Sequence, residues 1–468
     1  MHKRRIATEG SVASFMALWL LFRNTASTTI ELLVLYLFLL LAIEFARRGW
    51  WVALASQIWA SALLLGSLTS TFYTTTATSS GIRTASYAAF CLLTGWLLGQ
   101  NLIKTTQRRS FSRRRGATWQ TRPSPTIIIL LLTLGLFGAF LSFRSTGIPL
   151  FSNDVDSARG AVRASSENGN LLAGTLYSAF TACVWYCVGL PWSTTVRRKP
   201  MLVSGGVLGL AGAALGGSRN DILLCVSVPV IAWLARGQRS RNPGVDSRPL
   251  LWSLRVWAPI ALITFLSFGG SRVVHSASAV GRSTSSAANG DNLKAGLLLL
   301  QLNSTSQFET LGRLQQISSD LHSSGFNLYS TSRIPLLSAN NDSSDYQQVM
   351  INASAPFHMT VATFAGYLIL DVHGNAVTNS LMAIAIGAFL GGLAEHNRRS
   401  WKTGALLRHG LIVYVLLFSV YDFLPFSVFK IWILYLVTFL FDLQLIPDAA
   451  PHKSSQDVRY TVGTPTPV

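Results

Sequence analysis

Charge is what this sequence has least of, and negative charge least of all. Of 468 residues only 12% are Asp, Glu, Lys or Arg, about half the share a soluble domain carries. With 50% hydrophobic residues, the chain lacks the polar surface that would keep an ordinary globular protein in water. Cysteine is also scarce. Cys91, Cys183, Cys187 and Cys225 are the four present, and all lie inside apolar runs. That excludes a disulfide framework. Cys183 and Cys187 share a helix face, but no nearby His or carboxylate completes a metal set, so the four read as core- or lipid-facing thiols. Nucleotide and metal signatures are missing too: no GxGxxG, P-loop, HExxH, GxSxG or Cys/His spacing occurs. Their absence argues against nucleotide-driven or metal-dependent chemistry, so no cofactor and no metal is expected.

What remains is basic. The 38 Lys and Arg against 19 Asp and Glu leave a net charge of +19. These cations sit in short loops between apolar runs, the pattern of cytoplasmic loops rather than of a nucleic-acid surface. Nucleic acid is therefore not an expected partner; a lipid bilayer is.

A membrane-crossing helix needs about 20 mostly apolar residues. About twelve stretches meet that test, near 8–22, 28–46, 51–73, 84–103, 125–143, 171–192, 201–217, 221–235, 251–269, 376–394, 405–422 and 427–447. The expected fold is an all-α polytopic integral membrane protein. Met1-His-Lys-Arg-Arg5 before the apolar Ser11–Phe22 has the shape of a signal peptide, but no small-residue cleavage site follows, so it reads as a retained anchor. Arg47-Arg48, Lys104 to Arg115, Arg197-Arg198-Lys199, Arg236 to Arg248, and Arg398-Arg399 with Lys402 fall in alternate gaps. The positive-inside rule then places those loops and both termini in the cytoplasm. The expected location is the cytoplasmic (inner) membrane.

One stretch breaks the pattern. Residues 271–375 are polar, lie between the ninth and tenth runs, and on the same rule face outward. The chain thus divides into 1–270, this extracytoplasmic loop over 271–375, a second helical part over 376–447 and a tail over 448–468. Within the loop, Phe308, Leu311, Leu314, Ile317 and Leu321 recur at helical spacing behind Ser306-Gln-Phe-Glu309, which fits a capping box. Such a helix lies on the membrane surface, across the mouth of the bundle, or within a small core of the loop. Ser- and Asn-rich 337–346 reads as loop. The sequons at Asn303, Asn341 and Asn352 are too loose a pattern to carry an argument.

Three outward sites bring charge to the expected membrane boundary. Gly147-Ile-Pro-Leu-Phe151 precedes Asp154, Asp156, Arg159 and Arg163. Gly217-Ser-Arg219-Asn-Asp221 forms a tight hairpin. The polar loop opens with Arg272 and His275 and ends with Asp371-Val-His373-Gly. Arginine offers planar paired donors suited to phosphate or pyrophosphate. Several around one cleft would stabilise an anionic leaving group without a metal. For any single arginine the plain alternative is a side chain snorkelling to headgroups; Arg219, in so short a hairpin, is the strongest exception. His275, His358 and His373 are candidate general bases, each with a structural hydrogen-bonding role as its alternative. Asp371 is a fourth candidate or a helix N-cap.

Taken together these landmarks resemble the Wzy-type polymerases of O-antigen and exopolysaccharide repeat units. The likeness rests on Gly147-Ile-Pro-Leu-Phe with Arg159 downstream, the Gly-Ser-Arg219 hairpin, and the large outer loop. That loop closes on Phe364-Ala-Gly-Tyr-Leu-Ile-Leu-Asp371-Val-His-Gly374 before a helix with Gly387, Gly391 and Gly392. It covers roughly residues 125–400 through short motifs. The resemblance implies transfer of a growing glycan from polyprenyl pyrophosphate to a lipid-linked repeat unit at the outer membrane face. It implies pyrophosphate contacts for Arg159 and Arg219, with Arg163 and Arg272 as further candidates, and activation of the acceptor hydroxyl by an outer-loop His or Asp. The implied partners are the polyprenyl-pyrophosphate-linked oligosaccharide, a flippase and a chain-length regulator. A ligase moving finished glycans would look the same. A secondary transporter or flippase would place its long loop at mid-chain on the cytoplasmic side and repeat itself between halves; neither is seen. A transferase using polyprenyl monophosphate sugars would carry acids in the first outer loop, where Arg23 to Thr29 has none.

Overall fold

The computed structural model describes residues 51–67, 77–107, 119–121, 124–152, 171–189, 199–237, 306–316, 363–372, 376–400, 402–420, 430–442 and 445–447, with Ala158, Asp291, Lys294, Ala295 and Leu298 besides. These residues are helical apart from one short ribbon. In chain order the helices are α1 (Trp51–Ser67), α2 (Ala77–Gln107), α3 (Pro125–Phe143), α4 (Leu171–Tyr177), α5 (Ala179–Gly189), α6 (Lys199–Ala214), α7 (Arg219–Gly237), α8 (Phe364–Val372), α9 (Ala376–Arg399), α10 (Thr403–Phe418) and α11 (Lys430–Asp442). A further helix spans 306–316. Strand β1 (Trp119–Thr121) pairs antiparallel with β2 (Leu445–Pro447), Gln120 opposite Ile446.

Nine of the apolar runs are thus helices, and 125–143 matches α3 residue for residue. The runs at 8–22, 28–46 and 251–269 lie outside the described residues. Helix α3 shows why hydropathy finds these elements. Pro125 opens it where a missing N–H costs nothing, and no charge interrupts it. One stripe, Ile128, Leu131, Gly135 and Ala139, is buried, while Ile129, Leu130, Leu136, Phe137 and Phe140 stand more than half exposed. A helix apolar all round needs an apolar surrounding on its free side. By length and composition, α3 and Val377–Arg399 are long and apolar enough to cross a membrane.

The helices alternate in direction, so their ends gather in two places. At one end Arg408, early in α10, meets Asn397 late in α9 and Asp442 closing α11, and Trp51 of α1 sits edge-on to His409. Tyr186 of α5 accepts the N–H of Ser124, just ahead of α3. Arg398 and Arg399, both paired with Glu395, collect here with Lys402, and Lys104 lies in the last turn of α2 on the same side; this is the basic end. At the opposite end the start of α11 meets the start of α7, and the end of α4 meets the turn after α6. Among the described residues Lys104, Arg398, Arg399 and Lys402 stand at this one end; most of the basic gaps expected from the sequence lie outside the described residues.

Helices α2 and α9 form the spine. They run parallel and touch along two Gly-x-x-x-Gly pairs, Gly95/Gly99 and Gly387/Gly391. A Cβ on Gly95 would strike the carbonyl of Ile384, on Gly99 that of Ala388, on Gly387 that of Leu92 and on Gly391 that of Trp96. Small residues four apart let backbones approach this closely, the association mode of helices in lipid.

Within the polar stretch the 306–316 helix does form. Phe308, Leu311 and Leu314 are fully buried as their spacing predicts, but so are Ser306, Glu309 and Thr310. A helix lying on a surface would leave that second face open, so this one packs inside the bundle. Gly81 of α2 lies against the Phe308 carbonyl, and Gln315 exchanges side-chain hydrogen bonds with Ser80 and Thr84. Glu309 accepts Arg313 Nε at 2.9 Å, one turn on. Thr310 Oγ1 donates to the Ser306 carbonyl at 2.7 Å, one turn back.

Candidate functional site

Two of the sequence motifs, nearly seventy residues apart, meet at the end opposite the basic one. Gly147 ends α3 with φ +75°, its N–H on the Phe143 carbonyl at 2.9 Å, the left-handed stop that glycine makes without strain. Pro149–Phe151 then form one 3-10 turn. Gly217, φ +63°, turns the chain between α6 and α7. The backbone N–H of Leu150 donates to the carbonyl of Leu215 at 3.2 Å, which seats the Gly147–Phe151 turn on the hairpin.

Tyr177 locks the hairpin from below. Its hydroxyl accepts the N–H of Gly216 at 2.9 Å and shares its proton between the carbonyls of Gly212 and Ala213, each at 2.9 Å. Phe143 and Phe180 pack edge-on against its ring, with centroids 5.5 and 5.7 Å away. One phenol therefore satisfies a turn that would otherwise leave backbone groups unpaired.

Past the hairpin, α7 presents two stripes. Residues 200° apart on a helix face opposite ways, and Arg219 and Asp221 are two residues apart. Asp221 aligns with Cys225, Val228 and Ala232, which are buried; the position of Arg219 aligns with Ile222, Leu223, Val226 and Trp233, which are 38–48% exposed. The carboxylate on the inner stripe meets Lys430, the first residue of α11, at 3.1 Å. Lys430 Nζ also lies 5.8 Å from the centre of the Tyr177 ring. Across the α7–α10 contact stands Tyr414, stacked on Phe418 with centroids 5.5 Å apart. Gly410, one turn before it, rests on the Val228 carbonyl. Tyr414 is 5% exposed, its hydroxyl has no hydrogen-bond partner, and Asp221 and Cys225 are the ionisable groups around it.

The residues expected to carry the chemistry fare unevenly. Arg159, Arg163, Arg272, His275, His358 and His373 lie outside the described residues. Arg219 is the first residue of α7, beside the docked turn. Asp371 falls in the last turn of α8, and the next helix opens only at Ala376; it is therefore not the cap of α9. The first turn of α8 reaches the same end of the bundle, the Phe364 N–H donating to the Ser419 carbonyl at 3.0 Å. Tyr177, Lys430 and Tyr414 were not anticipated. The one available signal was Lys430, a solitary cation opening an apolar run. The four cysteines are buried and unbridged, and among the described residues no three His, Cys, Asp or Glu side chains are grouped to hold a metal. No family model, curated protein or solved structure matches the chain.

Proposed function

We propose that the chain is a multi-pass inner-membrane polymerase of polysaccharide repeat units. It has about twelve spans and both termini in the cytoplasm. It transfers a growing glycan from polyprenyl pyrophosphate to a lipid-linked oligosaccharide at the outer face. The observation that carries this reading is the docking of the Gly147–Phe151 turn on the hairpin ahead of Arg219, at the end away from the basic loops. Helix faces lined with large exposed apolar side chains, on α3, α6, α9 and α11, favour a lipid surrounding.

In this reading Arg219, at the head of the exposed stripe of α7, meets the pyrophosphate at headgroup level while the polyprenyl chain lies along that stripe. Arg159, Arg163 and Arg272 complete the anion site. The acceptor hydroxyl is activated by one of His275, His358, Asp371 and His373. Paired arginine donors disperse the charge of the leaving pyrophosphate, so transfer needs no metal and survives EDTA; rescue of a chelated enzyme by a divalent ion would point to a carboxylate–metal site instead. A flippase supplying repeat units and a chain-length regulator are the expected partners.

The deciding experiment is deletion of the gene followed by sizing of surface glycan and lipid-linked intermediates. Single lipid-linked units should accumulate and polymer should vanish. Accumulation of full-length lipid-linked polymer would mark a ligase, and unchanged intermediates would overturn the reading. Tags at Arg113 and the C-terminus should report the cytoplasm and one at Ser338 the outside; a cytoplasmic Ser338 would end the proposal.

A further inference from the structure

We propose that Lys430 is a second, releasable cation of the anion site, held on Asp221 at rest and drawn onto a phosphate or pyrophosphate group when one arrives, with Tyr414 taking over the carboxylate. The proposal deepens the reading above and rests on it for the identity of the anion's carrier.

Lys430 opens α11 at the same end as the docked turns, and its ammonium, which has three donors, makes one hydrogen bond, to Asp221. The pair is neither sealed nor free, with side chains 13% and 24% exposed. An ammonium on a flexible stem can swing as a point charge, whereas a guanidinium fork is set for one geometry. Lys430 meets Asp221 in the first turn of α7, and a helix start favours an anion. What stands against binding is Asp221, which repels an anion and competes for the lysine.

The Tyr414 hydroxyl answers that objection. A buried hydroxyl without a partner is unfavourable, and among the described residues none takes the Tyr414 proton. Tyr414 shares the face of α10 on which Gly410 rests on the Val228 carbonyl, one turn nearer the start of α7, where Asp221 is the carboxylate and so the strong acceptor on that side. Once Lys430 leaves, the phenol can donate to the abandoned carboxylate. An unused donor behind an ion pair is what a two-position lysine requires.

Three substitutions in the purified full-length protein separate this from a mere clasp between α7 and α11, with inorganic pyrophosphate as the probe and calorimetry as the readout. Lys430→Met should weaken binding about tenfold or more. Asp221→Asn should strengthen it several-fold, because the competing carboxylate is gone while the side chain keeps its shape; a clasp predicts no gain. Tyr414→Phe should leave the melting temperature unchanged or raised, since the hydroxyl has no partner to lose, yet weaken binding by about the factor of one hydrogen bond to a charged group, roughly tenfold. In the Asp221→Asn background Tyr414→Phe should no longer matter. Weaker or equal binding by Asp221→Asn, or wild-type binding by Tyr414→Phe, overturns the proposal. A protein that polymerises lipid-linked units while Lys430→Met binds pyrophosphate normally sinks this inference alone. Lysine-dependent pyrophosphate binding without polymerisation sinks the polymerase reading and leaves the cation site standing.

Discussion

The two ends of the bundle treat buried charge in opposite ways. At the basic end Arg408 donates to Asn397 at 3.0 Å, to Asp442 at 2.6 Å and to Thr438 at 3.4 Å, with its guanidinium 3.8 Å from the centre of the Phe439 ring. Glu395 takes Arg398 through both oxygens and Arg399 through one. These partners come from three consecutive helices and bind mainly one another; among the described residues one Asp442 oxygen, against Gly404, and the Trp51 indole N–H stay without a partner at this end. At the other end the groups come from segments as far apart as Asp221 and Lys430, 209 residues, and donors are left over. A charge network closed on itself pins helices. Spare donors at the other end are what the proposed anion site would draw on.

That contrast can be broken in stages. The largest effect should come from the spine on which both ends depend. Gly99→Leu drives a side chain into the Ala388 backbone and should abolish recovery of folded protein in detergent, whereas Gly174→Ala, with nothing within 4 Å of the added carbon, should be recovered normally. Next comes the closed network. Arg408→Met strands buried Asp442 and Asn397 and should cost about 3–5 kcal/mol, seen as a lowered melting temperature, with transfer per folded molecule unchanged. Arg408→Met combined with Asp442→Leu should recover most of that loss. At the open end Arg219→Lys should leave stability alone and remove about 2–4 kcal/mol of transition-state stabilisation, roughly a 30- to 1000-fold fall in rate, with Arg83→Lys silent. Normal polymerisation by Arg219→Lys would make Arg219 an interfacial anchor, as its place on the exposed stripe of α7 allows. The smallest effect belongs to Tyr177→Phe. It leaves the Gly216 N–H and two carbonyls without their hydroxyl and should lower stability by about 1–3 kcal/mol. Transfer should fall with it if the hairpin positions Arg219.

Much of the fold was legible because hydropathy is a local property. Nine runs are helices, and Phe308, Leu311 and Leu314 are buried as their spacing said. The partner of that last helix was not legible, since nothing in its own residues points to Gly81 or Ser80, more than two hundred positions earlier. The spine was readable in principle from two Gly-x-x-x-Gly spacings, Gly95/Gly99 and Gly387/Gly391. The meeting of the Gly147 and Gly217 turns was legible only as a resemblance; the hydrogen bond joining them is a backbone contact that no side-chain pattern encodes.

From the residues alone came the helices, their order and their alternation, because each depends on the apolar content and flanking charge of one short segment. Only the packing decided which side of each helix carries the chemistry. Arg219 and Asp221 are near neighbours in the hairpin motif, yet one position lies on the exposed stripe and the other faces Lys430. Tyr414 is one aromatic among many in its run until the packing of α10 on α7 buries it with its hydroxyl unpaired. A helix turns 100° per residue, so the face a residue occupies acquires meaning only when a neighbouring helix, brought from elsewhere in the chain, covers the other side.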